Sequence, residues 1–349
     1  MRKLTLFLLL IFVAGCGSVT ENAPADVEAT AFKWQDRIYP DREWKDMWGN
    51  RINAHSGGLY YENGFYYWYG THKIPGTDER SGRTAGGVHV YRSRDLMNWN
   101  DFDITLSTRD DPKSEMYQRR IERPKVVYNK ATDKYVMYFK MFFGRRKDGT
   151  DIAYTGVATA DKPVGPFTYS HKFLAAGKAG SGDHTFYQFP NGDLYHITVR
   201  RGDRLMVMAK MRRDYLYPAT SYTELQGIRK NTEGTTIIRR NGTFHMFGSG
   251  SGGWDPTEPR YFTSNSLGGP WKAQANPLRG YNPIGKSGVD KTFGGQSSFI
   301  TPIQGKDNRY ILMMDVHRPR NPYDSRYIWL PFSIENGKMV VRWQNNWRP

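Results

Sequence analysis

The chain repeats one hydrophobic pattern five times: an apolar and aromatic run, a short polar turn, and a second aromatic run. The copies are GGLYYENGFYYWYG (57–70), PKVVYNKATDKYVMYF (124–139), HTFYQFPNGDLYHI (184–197), GTTIIRRNGTFHMFG (234–248) and SSFITPIQGKDNRYILMM (297–314). Each predicts a β-hairpin, because Val, Ile, Tyr and Phe favour strands and the Asn-Gly, Asp-Lys or Asp-Asn turns accept positive φ. The turns are 50 to 70 residues apart, which fits four-stranded blades with variable loops. The pattern predicts an all-β fold, a five-bladed β-propeller.

The N-terminus has the features of an export signal. Two basic residues precede an apolar segment, residues 4–14, that is too short to span a bilayer comfortably and resembles a signal-peptide core. Its end, VAGC (13–16), resembles the lipobox of bacterial lipoproteins. We therefore expect residues 1–16 to be a signal peptide with Cys16 as the lipidated first residue. The alternative is an ordinary secretory signal with a cysteine at this position by chance.

The rest of the chain is predicted to form a tether and one domain. Residues 17–30 are small and polar, as a flexible tether would be, and residues 31–349 contain no composition break and form the predicted propeller. Cys16 is the sole cysteine, so the domain has neither a disulfide nor thiol chemistry. These features predict a bacterial membrane-anchored lipoprotein, either periplasmic or on the cell surface.

The charge narrows the range of partners. The formal net charge is +16, and the basic residues occur in clusters. A field of this sign attracts polyanions. In an exported lipoprotein these would be sulfated or uronate-bearing polysaccharides or the cell's own anionic surface, whereas nucleic acid is a poor candidate. The alternative is a solvated surface without a specific partner.

Acidic residues precede three of the predicted hairpins. Glu122, Asp183 and Glu233 come just before the second, third and fourth copies. Because a propeller gathers one loop per blade around a central funnel, we expect these carboxylates to share one cavity. Grouped carboxylates shift one another's pKa values, so that one can serve as a proton donor near neutral pH. Glycoside hydrolysis needs such a donor, with a base or nucleophile on the other side of the sugar.

The chain resembles glycoside hydrolase family 43, whose members are five-bladed propellers. The resemblance extends over essentially the whole mature chain and is strongest to the exo-β-1,3-galactanase branch, subfamilies 24 and 34. It is carried by INAHSGGLYYENGFYYWYGTHK (52–73), IERPKVVYN (121–129), SGSGGWDP (249–256), GGPW (268–271), QSSF (296–299) and DSRYIWLPF (324–332). It implies an inverting glycosidase that acts on galactan-type polysaccharide.

The resemblance also assigns catalytic roles. Glu233 corresponds to the family's general acid and Asp183 to the aspartate that modulates its pKa. Glu122 corresponds to a sugar-binding glutamate that is critical for activity. Most of the family has an aspartate base in blade one; the galactanase branch lacks it, and there a glutamine in blade five is thought to orient the attacking water. Gln296 has that position here.

Further residues are expected to bind the substrate. Asn53 and His55 occupy the stretch where the blade-one base is missing, and Trp254 is expected to stack near the subsite. The expected substrate-binding residues are Asn53, His55, Thr71, Arg123, Arg200 and Trp254.

The sequence departs from the galactanase pattern at two places. Thr71 replaces a glutamate, and TVRR (198–201) replaces a Ser-Ser-Glu motif. Lost carboxylates and gained guanidinium groups suggest that the terminal sugar or its neighbour carries a sulfate or carboxylate. The alternative is that Arg200 and Arg201 lie on an outer strand and add only surface charge.

Other functions remain open from the sequence. A propeller without the base could be a non-catalytic glycan-binding lipoprotein, or the protein could be another family 43 exo-glycosidase, an arabinofuranosidase or xylosidase. The latter normally carry the missing aspartate. The histidines lack ligand spacing, so no metal site is predicted and no cofactor is required, although a structural cation in the central channel stays open.

Overall fold

The computed structural model describes residues 34–79, 84–147, 149, 151–177, 180–253 and 255–349. These residues form five β-sheets arranged as the blades of a propeller, which confirms the predicted fold. Each predicted hairpin forms the first two strands of one blade. Two Asn-Gly turns have the expected left-handed backbone at both residues: φ is +50° at Asn63 and +80° at Gly64, and +48° and +83° at Asn241 and Gly242. In the Asn-Gly turn of blade three only the glycine, Gly192, is left-handed, with φ of +88°.

Within each blade the strands pair as antiparallel neighbours in sequence order. Blade one contains β1 (His55–Glu62), β2 (Phe65–Lys73), β3 (Ala85–Ser93) and β4 (Asn100–Ser107). Blade two contains β5 (Ile121–Asn129), β6 (Lys134–Arg145), β7 (Asp151–Ala160) and β8 (Thr168–Phe173). Blade three contains β9 (Ser181–Gln188), β10 (Leu194–Arg200), β11 (Met206–Lys210) and β12 (Thr223–Glu224). Blade four contains β13 (Thr232–Arg240), β14 (Thr243–Gly250), β15 (Pro259–Ser264) and β16 (Lys272–Gln274).

Blade five has an extra strand. β17 (Leu278–Arg279) pairs in parallel with the last strand of the chain. A small hairpin of β18 (Tyr281–Asn282) and β19 (Ser287–Gly288) follows it. The blade is completed by β20 (Gln296–Pro302), β21 (Tyr310–Val316), β22 (Arg326–Glu335) and β23 (Lys338–Arg342). Two short 3-10 helices span Val289–Gly294 and Pro322–Asp324.

The apolar runs have two buried faces because each blade packs between two others. On β6, Val136 and Tyr138 pack against blade three, whereas Met137 and Phe139 on the opposite face pack against blade one. A strand buried on both sides reads as a continuous apolar run rather than an alternating one. Five such hydrophobic clusters separate the five blades. The hairpin tyrosines therefore serve mainly as packing residues.

Blades five and one close the ring through an aromatic cluster. The Trp68 ring centroid lies 4.6 Å from that of Trp329 and 4.7 Å from that of Tyr327. Trp347 adds a hydrogen bond from Nε1 to the Trp329 carbonyl, 2.8 Å long. The first strands of the blades, β1, β5, β9, β13 and β20, contact one another around the centre. Their starting residues therefore face a common axis.

Buried histidines give a pH prediction for folding. Burial lowers the pKa of His72, His245 and His317 to about 4 and that of His196 to about 3, and it also lowers the pKa of His55 and His184. Since unfolding restores a pKa near 6.5, the unfolded chain binds more protons below that pH.

We expect the free energy of unfolding to fall by several kcal/mol between about pH 7 and about pH 4. Asp315 opposes this trend, because burial raises its pKa to about 6, but six histidines outweigh one carboxyl. Urea denaturation at a series of pH values measures the slope. A profile that is flat over this range would contradict the prediction, since it would mean that the histidines take up protons equally in the folded and unfolded chain.

The predicted signal peptide, Cys16 and the tether lie outside the described residues. Within the described residues, no helix has the length and apolar character needed to cross a membrane.

Candidate active site

Each blade begins with the same irregularity on its innermost strand. In blade two, Glu122 pairs with Lys140 and Lys125 pairs with Tyr138, so three residues along β5 match two along β6. The other four blades show the same shift. Such a β-bulge bends the strand and re-aims its side chains. The equivalent positions, counted three residues back from the first pair after the bulge, are from blade one to blade five His55, Glu122, Ser181, Glu233 and Gln296. In blade five Ser297 also pairs, with Met314.

The predicted carboxylates are not all at equivalent positions. Glu122 and Glu233 are equivalent to each other and to Gln296 in register, whereas Asp183 lies two residues beyond Ser181, inside the bulge of blade three. Two of the three carboxylates, Glu122 and Glu233, are therefore at the same register position of their blades. Asp183 lies further along its strand, but it lines the same cavity.

The backbone of the bulge is left-handed after both glutamates. φ is +57° at Arg123 and +60° at Gly234. A Cβ on Gly234 would lie 2.6 Å from the Ser297 carbonyl oxygen, so the approach of blades four and five requires glycine there. Arg123 adopts an uncommon conformation for a residue with a side chain, and its guanidinium contacts hold it in place.

The strand starts surround a cavity of about 250 Å³. All four residues expected to be catalytic line it: Glu122, Asp183, Glu233 and Gln296. Further lining residues are Ser56, Arg120, Arg123, Lys140, Phe142, Arg145, Asp151, Arg201, Arg204, Ser251, Gly253 and His317. Gln296 and His317 also border an adjoining space of about 10 Å³ that Asp315 faces. That volume is close to what one water molecule needs.

Asp183 is a buried anion held between two cations. Its Oδ2 lies 2.8 Å from Arg123 Nη2 and accepts a hydrogen bond from the Gly234 backbone N–H at 3.1 Å; its Oδ1 accepts one from Lys140 Nζ at 3.2 Å. Burial alone would raise the pKa of Asp183, but the charges of Arg123 and Lys140 hold this pKa well below its usual range. Asp183 therefore stays ionised and is tied to the residue after Glu233.

Arg123 connects Asp183 to Gln296. Besides Asp183, its guanidinium donates to the Gln296 side-chain oxygen and, at 3.1 Å, to the Ser297 carbonyl. Only 5% of the residue is exposed. Arg123 lines the cavity, and protein acceptors occupy its planar fork, so it also positions Asp183 and Gln296.

Glu122 shares the cation that holds Asp183. Its two carboxylate oxygens lie 3.5 Å from Arg120 Nε and 3.6 Å from Lys140 Nζ. Burial opposes ionisation, but the charges of Arg120 and Lys140 lower the pKa of Glu122 to about 2. Glu122 is thus a permanent anion that can accept hydrogen bonds from sugar hydroxyls.

Glu233 is the most accessible of the three carboxylates, with 19% of its side chain exposed. Arg204 Nη1 donates to its Oε1 at 3.1 Å. Arg204 lies in the loop between β10 and β11, so a blade-three residue donates the hydrogen bond to this blade-four carboxylate.

Three expected substrate-binding residues do not line the cavity. The Asn53 side chain bonds both the N–H and the carbonyl of Lys73 at 2.8 Å, and so fixes the backbone of β2. His55 is buried and stacks on Tyr327 with 5.1 Å between ring centroids. Thr71 is fully buried and donates to the Ile121 carbonyl at 3.5 Å. In this structure the contacts of these three residues are with the protein around the site.

The two arginines at the end of β10 have different surroundings. Arg200 forms a hydrogen-bonded ion pair with Asp203 and does not line the cavity, whereas its neighbour Arg201 does. Trp254 lies outside the described residues.

Sequence reasoning missed Lys140, Arg204 and Asp315. Lys140 interrupts the apolar run of β6, and Asp315 interrupts that of β21. A single charge inside an otherwise apolar strand was the available signal, because a buried charge needs a partner. Both lie opposite the bulge position of their blade, facing Glu122 and Gln296 respectively.

A structural cation in the central channel, which the sequence leaves open, would lie near a lysine side chain. A Cβ on Gly58 would lie 3.1 Å from the Phe299 ring and 3.4 Å from the Lys125 side chain, so Lys125 lies at the junction of three blades. Burial, with the charge of Arg123, lowers the pKa of Lys125 to about 7. An ammonium group at this position disfavours a second cation. Among the described residues, no group of three or more His, Cys, Asp or Glu side chains could hold a metal ion.

Comparison with known proteins agrees with this geometry. The model of glycosyl hydrolases family 43 matches residues 58–320. A family 43 β-1,3-galactosidase solved with galactodeoxynojirimycin is 30% identical, with a TM-score of 0.79, over 89% of this chain and 100% of its own. A second β-1,3-galactosidase of the family is 29% identical, with a TM-score of 0.77, over 90% of this chain. This chain spans 63% of the length of that protein.

An exo-β-1,3-galactanase from Phanerochaete chrysosporium, solved with galactose, is 27% identical. Its TM-score is 0.76, over 90% of this chain and 68% of its own. No curated protein sequence matches this chain significantly.

Proposed function

The chain belongs to glycosyl hydrolase family 43 and is a glycosidase, and on that basis we propose that it is an exo-acting β-1,3-galactanase. It would remove terminal galactose from β-1,3-linked galactan with inversion. The observation that carries the proposal is the convergence of Glu122, Asp183, Glu233 and Gln296 on one cavity. Solved galactosidases and galactanases that are 27 to 30% identical support the choice of substrate.

Glu233 is the proposed general acid. It is the most accessible of the three predicted carboxylates, and its carboxylic acid form would protonate the glycosidic oxygen as the bond to the anomeric carbon breaks. The ionised Asp183 supports this role, because it binds the N–H of Gly234 and so fixes the peptide next to the acid. Glu122 would hold hydroxyls of the terminal sugar.

Water attacks the anomeric carbon from the opposite face in an inverting enzyme. Gln296 is proposed to orient this water. Its side-chain oxygen accepts a hydrogen bond from Arg123 and retains a second lone pair for a water proton. The proton released by the water passes to solvent, and Glu233 is reprotonated before the next cycle. The small space beside Gln296 and Asp315 lies next to the proposed path of the water.

We further propose that the glycan is anionic and that the enzyme is held at a membrane by a lipid on Cys16. The net charge of +16 supports the first part, and the VAGC sequence (13–16) supports the second. Expression of the Cys16→Ala variant in a bacterium tests the anchor. The wild type should pellet with membranes and the variant should not; equal fractionation of the two would reject the anchor.

Product release from a glycan panel tests the activity. The panel contains neutral and sulfated β-1,3-galactans, arabinogalactan oligosaccharides, and aryl arabinofuranosides and xylosides. Galactose should be the single sugar released, and NMR should detect it first as the α anomer, because inversion of a β linkage gives an α product. Release of arabinose or xylose in place of galactose would indicate another exo-glycosidase. Binding without any release would indicate a recognition protein.

A further inference from the structure

One wall of the cavity contains three arginines around a single carboxylate. Asp151, the first residue of β7, lies 3.3 Å from Arg120 Nη2, 3.1 Å from Arg145 Nε and 3.7 Å from Arg201 Nη2. All four residues line the cavity. We call Arg120, Arg145, Arg201 and Asp151 the arginine wall. One carboxylate cannot neutralise three guanidinium groups, so the wall carries two surplus positive charges.

The rest of the cavity does not remove this surplus. Glu122 contacts Arg120, but it also shares Lys140 with Asp183. Among the described residues that line the cavity there are six cations and four carboxylates. When the general acid is protonated, as its role requires, the imbalance grows by one. The cavity is therefore built to receive negative charge.

Arg201 is the least satisfied of these cations. Only 12% of its side chain is exposed, and within the described ranges its guanidinium donates no hydrogen bond; the contact with Asp151 is an ion pair at 3.7 Å. Removing a guanidinium group from water without full compensation costs free energy. An anion with several acceptor oxygens would recover that cost through charge-assisted bidentate hydrogen bonds.

The wall lies next to the residue proposed to hold the terminal sugar. Arg120 Nε is 3.5 Å from the carboxylate of Glu122. A group attached to the terminal sugar therefore reaches the wall more directly than one attached to its neighbour. We propose that the arginine wall is a subsite for a sulfate or carboxylate group carried by the terminal sugar. This inference rests on the proposed function, because it takes Glu122 as the ligand of that sugar.

Matched disaccharides test the subsite. The substrates are neutral β-1,3-galactobiose, the same disaccharide with one sulfate on the terminal galactose in each positional isomer, and one with a terminal glucuronate. The wild type should show a higher kcat/KM for at least one charged substrate than for the neutral one, and the preferred charged substrate identifies sulfate or carboxylate. Arg201→Gln should lower the ratio of charged to neutral kcat/KM about tenfold or more, because hydrogen bonds to charged groups are strong.

Arg240→Gln is the matched control. Arg240 forms a bidentate pair with Asp307 at the surface and is not among the cavity residues, so its loss should leave the ratio unchanged. A wild type that hydrolyses neutral galactobiose at least as well as every charged substrate would overturn the subsite and the anionic glycan, while leaving the proposed β-1,3-galactanase activity intact. If no substrate is hydrolysed, the proposed function fails, and calorimetric binding of the charged disaccharides then decides the subsite. Binding that Arg201→Gln weakens would support it, and binding that is absent or unaffected would overturn it.

Discussion

Glu233→Gln is expected to lower kcat by about 10²- to 10⁴-fold, the usual contribution of a general acid, while glycan binding remains nearly unchanged. Glutamine has the shape of glutamate, and its amide oxygen can still accept the hydrogen bond from Arg204 that Oε1 accepts now. It has no acidic proton for the glycosidic oxygen, so the chemical step loses its donor. Single-turnover kinetics with β-1,3-galactobiose and calorimetric binding of the same disaccharide measure the two effects.

Glu335→Gln is the control for this change. Glu335 is half-exposed and pairs with Arg342 at the edge of blade five, away from the cavity. Its replacement should leave kcat within error of the wild type. Glu233→Gln with wild-type turnover would show that another group donates the proton. Loss of binding together with turnover would mean that Glu233 mainly holds the substrate.

Arg123→Met should cost the most stability of any single change in the site, about 3 to 5 kcal/mol of unfolding free energy. The substitution removes the guanidinium that faces Asp183 at 2.8 Å and also bonds Gln296 and the Ser297 carbonyl. The buried Asp183 carboxylate then keeps Lys140 as its sole cation, and Gln296 loses its anchor. Urea denaturation at pH 7 gives the stability change, and initial rates give the accompanying loss of kcat.

Arg123→Lys separates the charge from the geometry. Lysine keeps a positive charge near Asp183 but cannot reproduce the planar fork that joins three acceptors. We expect it to recover part of the stability and little of the activity. Arg240→Met, at an exposed ion pair, should change the unfolding free energy by no more than about 1 kcal/mol. Equal stability of wild type and Arg123→Met would contradict the buried network.

The blade architecture was predictable because it depends on local patterns. Asn-Gly turns determine where strands reverse, and apolar runs mark strands that are covered on both faces. Both signals lie within about 15 residues of sequence, as in residues 57–70. The clustering of Glu122, Asp183 and Glu233 followed from the ring symmetry of the propeller, because each residue lies at the start of an innermost strand.

The bulges were not predictable from the sequence. A bulge is a property of the pairing between two strands, so neither strand reveals it alone. The bulge of blade three lies on β9, between Ser181 and His184, and it contains Asp183. The different surroundings of Arg200 and Arg201 have a simpler cause, because successive side chains at the end of a strand point in opposite directions. Arg201 lines the cavity while Arg200 meets Asp203.

Lys140 was missed for a different reason. It lies in an apolar stretch of β6 and is itself buried, so composition places it in the core. Its partners, Glu122 and Asp183, belong to two different blades and are 18 and 43 residues away in the sequence. Contacts of this kind depend on the closed ring.

The five equivalent strand positions differ in what they offer to a ligand. The hydrophobic clusters lie between the blades, whereas Glu122, Glu233 and Gln296 line the cavity. His55 and Ser181 hold the same register in blades one and three, but both are buried and neither lines the cavity. Substitutions at the three cavity positions can therefore alter the chemistry offered to a ligand without disturbing the packing between the blades, so one scaffold can diversify toward new sugars.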